Sequence, residues 1–379
     1  MEENSILQTS KYLARIVLNK ITNNAFFSIC LLAAAVTSLF NVPQWNYIDG
    51  KVLICLFQLM LIVKALEEYG VLSYFAIKIS NYCPTERRLT LALCSIAFLL
   101  SMFTTNDVAV LTIIPILTLI AQSSGIPATL PCILITIAAN LGSTATPIGN
   151  PQNLYLFSFY KMNPMSFFSA SLPLCGASLL LTMALILFVR PRKIQTGLEV
   201  VPVTEKKKVS AFLLLSIPVI ASIVGLIPYA LSLVIVMPVA FFLRVSLLHK
   251  LDYKLLLTFV FLFIAVGNIT HMPALKMEIA TFVTSPLKTY VSALLLSQVI
   301  SNVPSAVMLA PFTAYKHAIF YGVNIGGLGT PVASLASIIS FSLFQRSFPG
   351  KKYQFAFIFL LCNFILLFVL SIAFAVTLN

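Results

Sequence analysis

The sequence predicts an all-α polytopic membrane protein built from two inverted repeats, each with a re-entrant hairpin and a broken transmembrane helix. Composition, long apolar runs and a recurring pair of polar motifs support this prediction. Of the 379 residues, 59% are hydrophobic and 9% are charged, whereas about a quarter of a soluble domain is charged. A water-soluble fold could not bury so much apolar surface, so we expect lipid to solvate much of the chain.

The formal net charge of +13 also fits a membrane protein. Lys and Arg concentrate in the cytoplasmic loops of such proteins, and a cytoplasmic N-terminus puts most of the 24 basic residues inside. The first apolar run follows Lys11, Arg15 and Lys20. We therefore predict a multi-pass protein of the inner membrane with a cytoplasmic N-terminus. The lipid bilayer is the expected partner, and nucleic acid is not, because no exposed basic domain is evident.

The predicted first repeat covers residues 1–190. Its elements are crossings at 22–41 and 51–69, an amphipathic stretch at 71–82, a hairpin at 89–122, a broken helix at 127–160 and a crossing at 167–190. The apolar runs are long enough to cross a bilayer. A basic, polar segment at 191–208 follows, and we interpret it as a cytoplasmic linker.

The predicted second repeat covers residues 209–379. Its elements are crossings at 210–227, 229–247 and 254–269, an amphipathic stretch at 271–285, a hairpin at 287–315, a broken helix at 317–344 and a crossing at 353–378. With each broken helix counted once, the chain has nine predicted crossings.

Two motifs relate the halves. Thr105–Val108 aligns with Ser301–Pro304 at a separation of 196 positions, and the pattern N-[L/I]-G-x-x-x-T-P occurs at 140–147 and again at 324–331. Five predicted crossings separate the hairpins. Because five is odd, the hairpins enter the membrane from opposite faces, which is an inverted-topology repeat.

Polar breaks in a membrane helix are costly and persist where protein or a wet cavity satisfies them. Transporters place solute and coupling ions at such breaks. Backbone carbonyls and Ser, Thr and Asn oxygens suit a hard cation, whereas helix N-termini suit an anion. The predicted cation-binding residues are Thr105, Asn106, Asp107, Asn140, Gly142, Ser301, Asn302, Asn324 and Gly326. The predicted substrate-binding residues are Asn106, Asp107, Thr146, Asn150, Gln152, Asn153, Asn302 and Thr330.

Asp107 is the acid at the first hairpin tip, and Val303 is its counterpart. An acid within a membrane is a functional hypothesis by default, and this one could bind sodium or carry a proton. The alternative is that Asp107 caps a helix and that Asn106 and Asn302 do the same. Glycines in the breaks are expected to permit unusual backbone conformations. Gln152 and Asn153 are interpreted as one-sided substrate contacts, with Ala333 and Ser334 in their place in the second repeat.

The residues that carry a family resemblance are Thr105–Ala109, Gly142–Ser143, Thr146–Asn153, Ser297–Ser305 and Asn324–Gly327. Through them nearly the whole chain resembles the ion transporter superfamily, which includes divalent anion/sodium symporters, citrate permeases and arsenite permeases. It is most similar to a bacterial anion-permease subgroup. The resemblance implies an elevator-like movement, often in a homodimer.

The resemblance also bears on the hairpin tips. In dicarboxylate symporters each tip reads Ser-Asn-Thr, and its residues contact sodium and substrate carboxylates. The first two positions carry over to Thr105-Asn106 and Ser301-Asn302. The third does not, because Asp107 would repel a carboxylate unless it were protonated or bound to a cation. An acid after Asn resembles the arsenite-permease tip.

The predicted function is secondary active transport of a small anion, a carboxylate or an inorganic oxyanion, coupled to sodium or protons. The alternatives are proton-driven efflux of an arsenite-like oxyanion, sodium/proton antiport and, from another class, a passive ion channel. An enzyme is not expected, because Ser, His and acidic residues form no hydrolase motif. We predict no cofactor, no catalytic residue and no metal site beyond sodium; Na⁺ or H⁺ is the predicted coupling ion.

Overall fold

The computed structural model describes residues 25–194, 197–200 and 202–378. These residues form α-helices and short 3-10 turns, and the β-structure among them is one isolated bridge between Thr85 and Lys193. The prediction of an all-helical protein is therefore confirmed. The basic N-terminal residues used to orient the chain precede residue 25 and lie outside the described part, so the cytoplasmic N-terminus stays a prediction.

The helices of the first half follow the predicted elements closely. They are α1 (Ala25–Ser38), α2 (Gly50–Glu68), α3 (Val71–Ser80), α4 (Glu86–Phe103), α5 (Asn106–Ser124), α6 (Thr129–Gly142), α7 (Pro151–Phe159) and α8 (Pro164–Ile186). Helices α4 and α5 form the first hairpin. Helices α6 and α7 are the two halves of the first broken helix, and we call residues 143–150 between them the first break.

The second half repeats this order. Its helices are α9 (Lys206–Ile223), α10 (Tyr229–Arg244), α11 (Tyr253–Thr270), α12 (Pro273–Thr281), α13 (Pro286–Ile300), α14 (Asn302–Leu309), α15 (Lys316–Ile325), α16 (Leu335–Ser347) and α17 (Lys352–Ala375). Helices α13 and α14 form the second hairpin. Helices α15 and α16 flank residues 326–334, the second break.

The chain divides into two compact units that do not coincide with the predicted repeats. Among the described residues, the smaller unit comprises 25–49 and Asp252–Lys276, and in it α1 packs along α11. Asn268 links these helices, because its Nδ2 donates to Thr37 Oγ1 at 3.3 Å and to Ser38 Oγ at 3.2 Å. The larger unit comprises Gly50–Leu251 and Met277–Asn379. It holds both hairpins and both broken helices, so each unit contains segments from both predicted repeats.

Within the larger unit, the two hairpins exchange packing partners. The first arm of each hairpin packs on the broken helix of its own half, so α4 contacts α6 and α13 contacts α15. The second arm packs on the broken helix of its own half and also on that of the other half, so α5 contacts α6 and α16, and α14 contacts α15 and α7. The same crossed arrangement occurs twice, which supports the predicted internal repeat. Its inversion relative to the membrane stays a prediction.

The broken helices are deeply buried. Every residue in 131–145 and in 318–329 is buried. Irregular backbone at membrane depth is tolerated where protein surrounds it or where it lines a cavity, and the surrounding helices meet the first condition here. The two breaks are thus held by protein contacts.

The helices that are long and apolar enough to cross a bilayer differ from the predicted crossings in several places. In the described part of the chain, five helical stretches are long and apolar enough to cross a bilayer: Asn106–Ser124, Pro164–Ile186, Tyr229–Lys250, Tyr253–Thr270 and Pro349–Leu378. The first of these is α5, a 19-residue arm of the first hairpin that was not predicted as a crossing, whereas the predicted crossings 51–69 and 210–227 are not among the five. The nine crossings and the re-entrant character of this hairpin stay predictions.

Candidate functional site

The tip of the first hairpin is a capped helix start. Thr105 precedes α5 with extended backbone, and its side-chain oxygen accepts from the N–H of Val108 at 3.4 Å. Asn106 Oδ1 accepts from the N–H of Asp107 at 3.1 Å. These short polar side chains satisfy free N–H groups of the first turn. The structure therefore shows that Thr105 caps α5. The amide nitrogen of Asn106 takes no part in this capping.

The tip of the second hairpin is strained. Ser301 has φ +77° and ψ 158°, a region that is essentially restricted to glycine and costs other residues roughly 1–3 kcal/mol. Its hydroxyl donates to the carbonyl of Ala333 at 3.3 Å and to Asn302 Oδ1 at 3.4 Å. These contacts help to hold a conformation that the free tip would leave.

Both tips meet the second break at neighbouring residues. Asn106 Nδ2, from the first tip, contacts Ser334 Oγ at 3.4 Å, while Ser301, from the second tip, contacts Ala333. Asn106 Nδ2 also donates to Asn140 Oδ1 at 2.9 Å. The structure therefore brings together the two hairpin tips and both broken helices, as the sequence predicted.

Two asparagines connect the breaks reciprocally. Asn140, at the end of α6, accepts at Oδ1 from Ser334 Oγ at 2.9 Å and donates through Nδ2 to Ser337 Oγ at 3.2 Å. Asn324, at the end of α15, accepts at Oδ1 from Asn150 Nδ2 at 3.3 Å and donates through Nδ2 to Asn153 Oδ1 at 2.8 Å. All six residues are buried.

The same pattern of contacts assigns equivalent positions. Asn140 and Asn324 are 184 positions apart, and so are Asn150 and Ser334, and Asn153 and Ser337. The expectation that Ala333 and Ser334 replace Gln152 and Asn153 was wrong, because it aligned the two halves at a separation shorter than 184 positions. At the constant separation the counterparts are Ala336 and Ser337. Asn153 is thus one half of a symmetric pair of contacts within the protein, and its substrate contact stays a prediction.

A threonine in each break repeats another contact. Thr146 Oγ1 donates to the carbonyl of Met102, and Thr330 Oγ1 donates to the carbonyl of Gln298 at 3.0 Å. Met102 and Gln298 lie 196 positions apart, at the separation of the hairpin motifs. Each threonine therefore ties its break to the first arm of its own hairpin. In this structure both threonine hydroxyls donate their hydrogen to a carbonyl of the hairpin arm.

The glycines at the points where the two broken helices are interrupted serve close packing. Gly142 and Gly326 have ordinary helical backbone angles, so the expectation of unusual conformations was wrong for them. A Cβ on Gly142 would lie 2.4 Å from the carbonyl oxygen of Phe98, and a Cβ on Gly326 would lie 2.5 Å from that of Gly322. Among the break glycines, Gly329 has the left-handed backbone, with φ +97°.

The remaining predicted residues lie at the edges of this network. Asp107 is half-buried in the first turn of α5, and its Oδ1 is excluded from solvent. Gln152 is buried at the start of α7. Sequence reasoning missed Ser143, Ser337 and Gln298 as members of the network. The separation of 184 would have identified Ser337, whereas Ser143 accepts from Asn150 Nδ2 at 3.0 Å without a sequence signal.

The assembled site consists of neutral amides, hydroxyls and backbone groups from four helix breaks, with one acid at its edge. Lys and Arg are absent from the tip residues 104–107 and 301–304 and from both breaks. Carbonyl and hydroxyl oxygens can replace water around a cation, and N–H groups can hold an anion. The site thus offers both kinds of group within one buried network, and its binding roles stay a prediction.

Comparison with known proteins identifies the family of the chain. The family model described as CitMHS, citrate transporter, matches residues 13–315. The chain is 32% identical to the transporter MJ0456 of Methanocaldococcus jannaschii over 321 residues, which are 84% of this chain and 88% of that protein. It is also 32% identical to the inner membrane protein YbiR of Escherichia coli over 333 residues, which are 85% and 88% of the two chains.

A shorter match and a solved structure add to this. The silicon efflux transporter LSI3 of Oryza sativa subsp. japonica is 28% identical over 171 residues, which are 44% of this chain and 35% of that protein. The crystal structure of the Alcanivorax borkumensis YdaH transporter superposes with a TM-score of 0.58 at 16% identity, covering 86% of this chain and 84% of that one. That likeness shows the fold.

The family match, the two long alignments and the apolar helices identify a multi-pass membrane transporter and not an enzyme. The chain belongs to the citrate transporter family.

Proposed function

We propose that the protein is a secondary active transporter that moves a small anion across the inner membrane, coupled to Na⁺ or H⁺ by an elevator-like movement. The observation that carries the proposal is the buried network in which Asn106 contacts Asn140 in the first broken helix and Ser334 in the second. A solute bound among these groups would contact both halves of the chain. Its movement would therefore depend on how the halves rearrange.

The first hairpin tip is the proposed coupling site. Asp107 combines a carboxylate with the neighbouring oxygens of Thr105 and Asn106, a set that suits a hard cation. Occupation by Na⁺ or H⁺ would neutralise Asp107 and let an anion approach, so cation and anion would bind together.

The substrate groups are proposed from the same network. The amide and hydroxyl groups proposed to bind the substrate lie in the breaks or at the start of α7. They belong to Asn150, Gln152, Asn153, Thr146 and Thr330. We propose that rearranged amides and the free N–H groups of the half-helices hold the anion. The proposal includes a homodimer because the family resemblance implies one.

Proton-driven efflux of an inorganic oxyanion is the second candidate, and sodium/proton antiport is a variant of it. The acid that follows Asn106 favours it, because a neutral oxyacid would not be repelled by Asp107. The names of two shorter relatives, a silicon efflux transporter of rice and a putative transporter arsB of Dictyostelium discoideum, support it as an analogy.

The test is uptake into proteoliposomes that contain the full chain. Carboxylates and inorganic oxyanions are offered under a sodium gradient and then under a pH gradient. We expect accumulation driven by one gradient, and we expect Asp107→Asn to abolish the dependence on that gradient. The control is Asp252→Asn, because Asp252 caps α11 with a bond of 3.2 Å to the N–H of Leu255 and asparagine caps equally well. Wild-type coupling in Asp107→Asn would remove Asp107 from the mechanism, and transport without any gradient would indicate a channel.

A further inference from the structure

One glutamine supports most of the second break. Gln298 lies half-buried on α13, and its Nε2 donates to the carbonyl of Gly326 at 2.7 Å and to that of Leu328 at 2.9 Å. Its Oε1 accepts from the N–H of Thr330 at 2.9 Å. A single side-chain amide thus satisfies three backbone groups that the interruption of the helix leaves open.

The backbone of the second break is shaped around this amide. Gly329 lies between two of its partners with φ +97°, and a Cβ there would lie 2.3 Å from Gln298 Oε1. A side chain at 329 would therefore displace the glutamine as well as strain the backbone. Both features indicate that the break and Gln298 form one rigid arrangement.

The arrangement resembles a cation site whose centre is a nitrogen atom. Two backbone carbonyl oxygens that converge on one point are typical ligands of a hard cation. At that point the structure has the Nε2 of Gln298, which carries hydrogens and partial positive charge. The carbonyls of Gly326 and Leu328 therefore already have a strong partner.

The first break has a looser arrangement, in which the amide comes from the break's own second half-helix and not from the hairpin arm. The counterpart of Gln298 is Met102, whose side chain has no N–H or O–H to donate. The carbonyls of Ser143, Thr144 and Thr146 instead face Asn153 Nδ2 at 3.3, 3.5 and 3.3 Å, longer than the usual distance of about 2.9–3.0 Å. The carbonyl of Ser143 also accepts from Asn150 Nδ2 at 3.5 Å, and that of Thr146 accepts from the N–H of Gly149 at 3.4 Å. The carbonyls of the first break are therefore held by several long contacts, whereas those of the second break are held by one short contact each from Gln298.

We propose that Gln298 takes, in the second repeat, the place that the coupling cation takes in the first, so that transport uses a single cation site at the first hairpin tip. This inference rests on the proposed function. The predicted cation-binding residues come from both hairpin tips, and the proposal restricts the cation site to the first tip. It makes Gln298 a positioning residue of the second break. The acid at the first tip and Val303 at the second agree with it.

Hydrogen exchange measured by mass spectrometry on the full chain in lipid nanodiscs tests the proposal. Sodium is exchanged for choline, and the pH is varied at constant sodium, with each exchange rate divided by the intrinsic amide exchange rate at that pH. In the wild type, we expect exchange in residues 143–150 to respond to one of these cations and exchange in 326–334 to respond to neither. In Gln298→Met we expect exchange in 326–334 to rise by about tenfold or more, because the break loses its donor.

Two further variants control this experiment. Gln122→Met makes the same change at an exposed glutamine that contacts the carbonyl of Ser347, and it should leave 326–334 unchanged. Gln298→Glu keeps the size but replaces the donor with an acceptor, so it should also speed exchange there if the methionine variant does not fold.

The outcomes separate the two proposals. The inference would be overturned if exchange in the second break responded to a cation as strongly as exchange in the first. Unchanged exchange in both Gln298 variants would also overturn it. If neither break responded to either cation, the proposed coupling would fail and the single site with it. Faster exchange in the variants would then leave Gln298 only as a structural support.

Discussion

Replacing Asn324 with alanine is expected to destabilise the protein more than the same replacement at Asn363. Asn324 Nδ2 donates to the carbonyl of Phe320, four residues before it, at 2.9 Å, and Asn363 Nδ2 donates to the carbonyl of Phe359 in the same way at 2.9 Å. Both side chains are buried, with 4% and 1% exposed. The local bond and the volume removed are therefore matched.

The difference between the variants reports the bonds between the breaks. Asn324 makes two, with Asn153 at 2.8 Å and with Asn150 at 3.3 Å. Hydrogen bonds between membrane helices average about 0.6 kcal/mol and reach about 1.7 kcal/mol. Asn324→Ala should therefore lose about 1–3 kcal/mol more than Asn363→Ala in reversible unfolding in mixed micelles. Equal losses would refute the claim that these bonds stabilise the junction of the breaks.

Gly142→Ala should lower the free energy of unfolding by roughly 1–3 kcal/mol, because the new Cβ would lie 2.4 Å from the carbonyl oxygen of Phe98. The control Gly176→Ala should be near neutral, because its new Cβ would have no atom within 4 Å. Indistinguishable unfolding curves for the two variants would contradict this prediction. Thr146→Val and Thr330→Val each remove one bond from a break to its hairpin arm, and we expect transport rates to fall by similar factors of roughly 2–10 in proteoliposomes. A loss in only one of them would show that the two contacts are not functionally equivalent.

Much of the fold could be predicted because the bilayer simplifies the physics. Apolar runs within a bilayer form helices, and polar interruptions are easy to recognise within such runs. The predicted ranges 127–160 and 317–344 therefore contain the two broken helices that the structure shows. The repeated motifs also identified Asn140 and Asn324, whose equivalent contacts the structure confirms.

Other features depend on distances that a sequence does not contain. Gln298 lies 28 to 32 positions from the backbone groups it supports, and no local pattern links a glutamine on one helix to carbonyls on another. Gly142 was predicted for its backbone freedom, but its lack of a side chain matters because α4 lies against it. The division into two compact units also escaped prediction, because it joins Ala25–Ser38 to a helix more than 200 positions later.

The most direct test of the shared site is the position of the transported solute in a cryo-electron microscopy structure of the protein in lipid nanodiscs. The solute is the one that proteoliposome uptake identifies. We predict density that contacts Asn106 at the first hairpin tip and Ser334 in the second break at the same time, and that weakens in Asp107→Asn. Density that contacts only one half of the chain, or lies away from both breaks, would contradict the account.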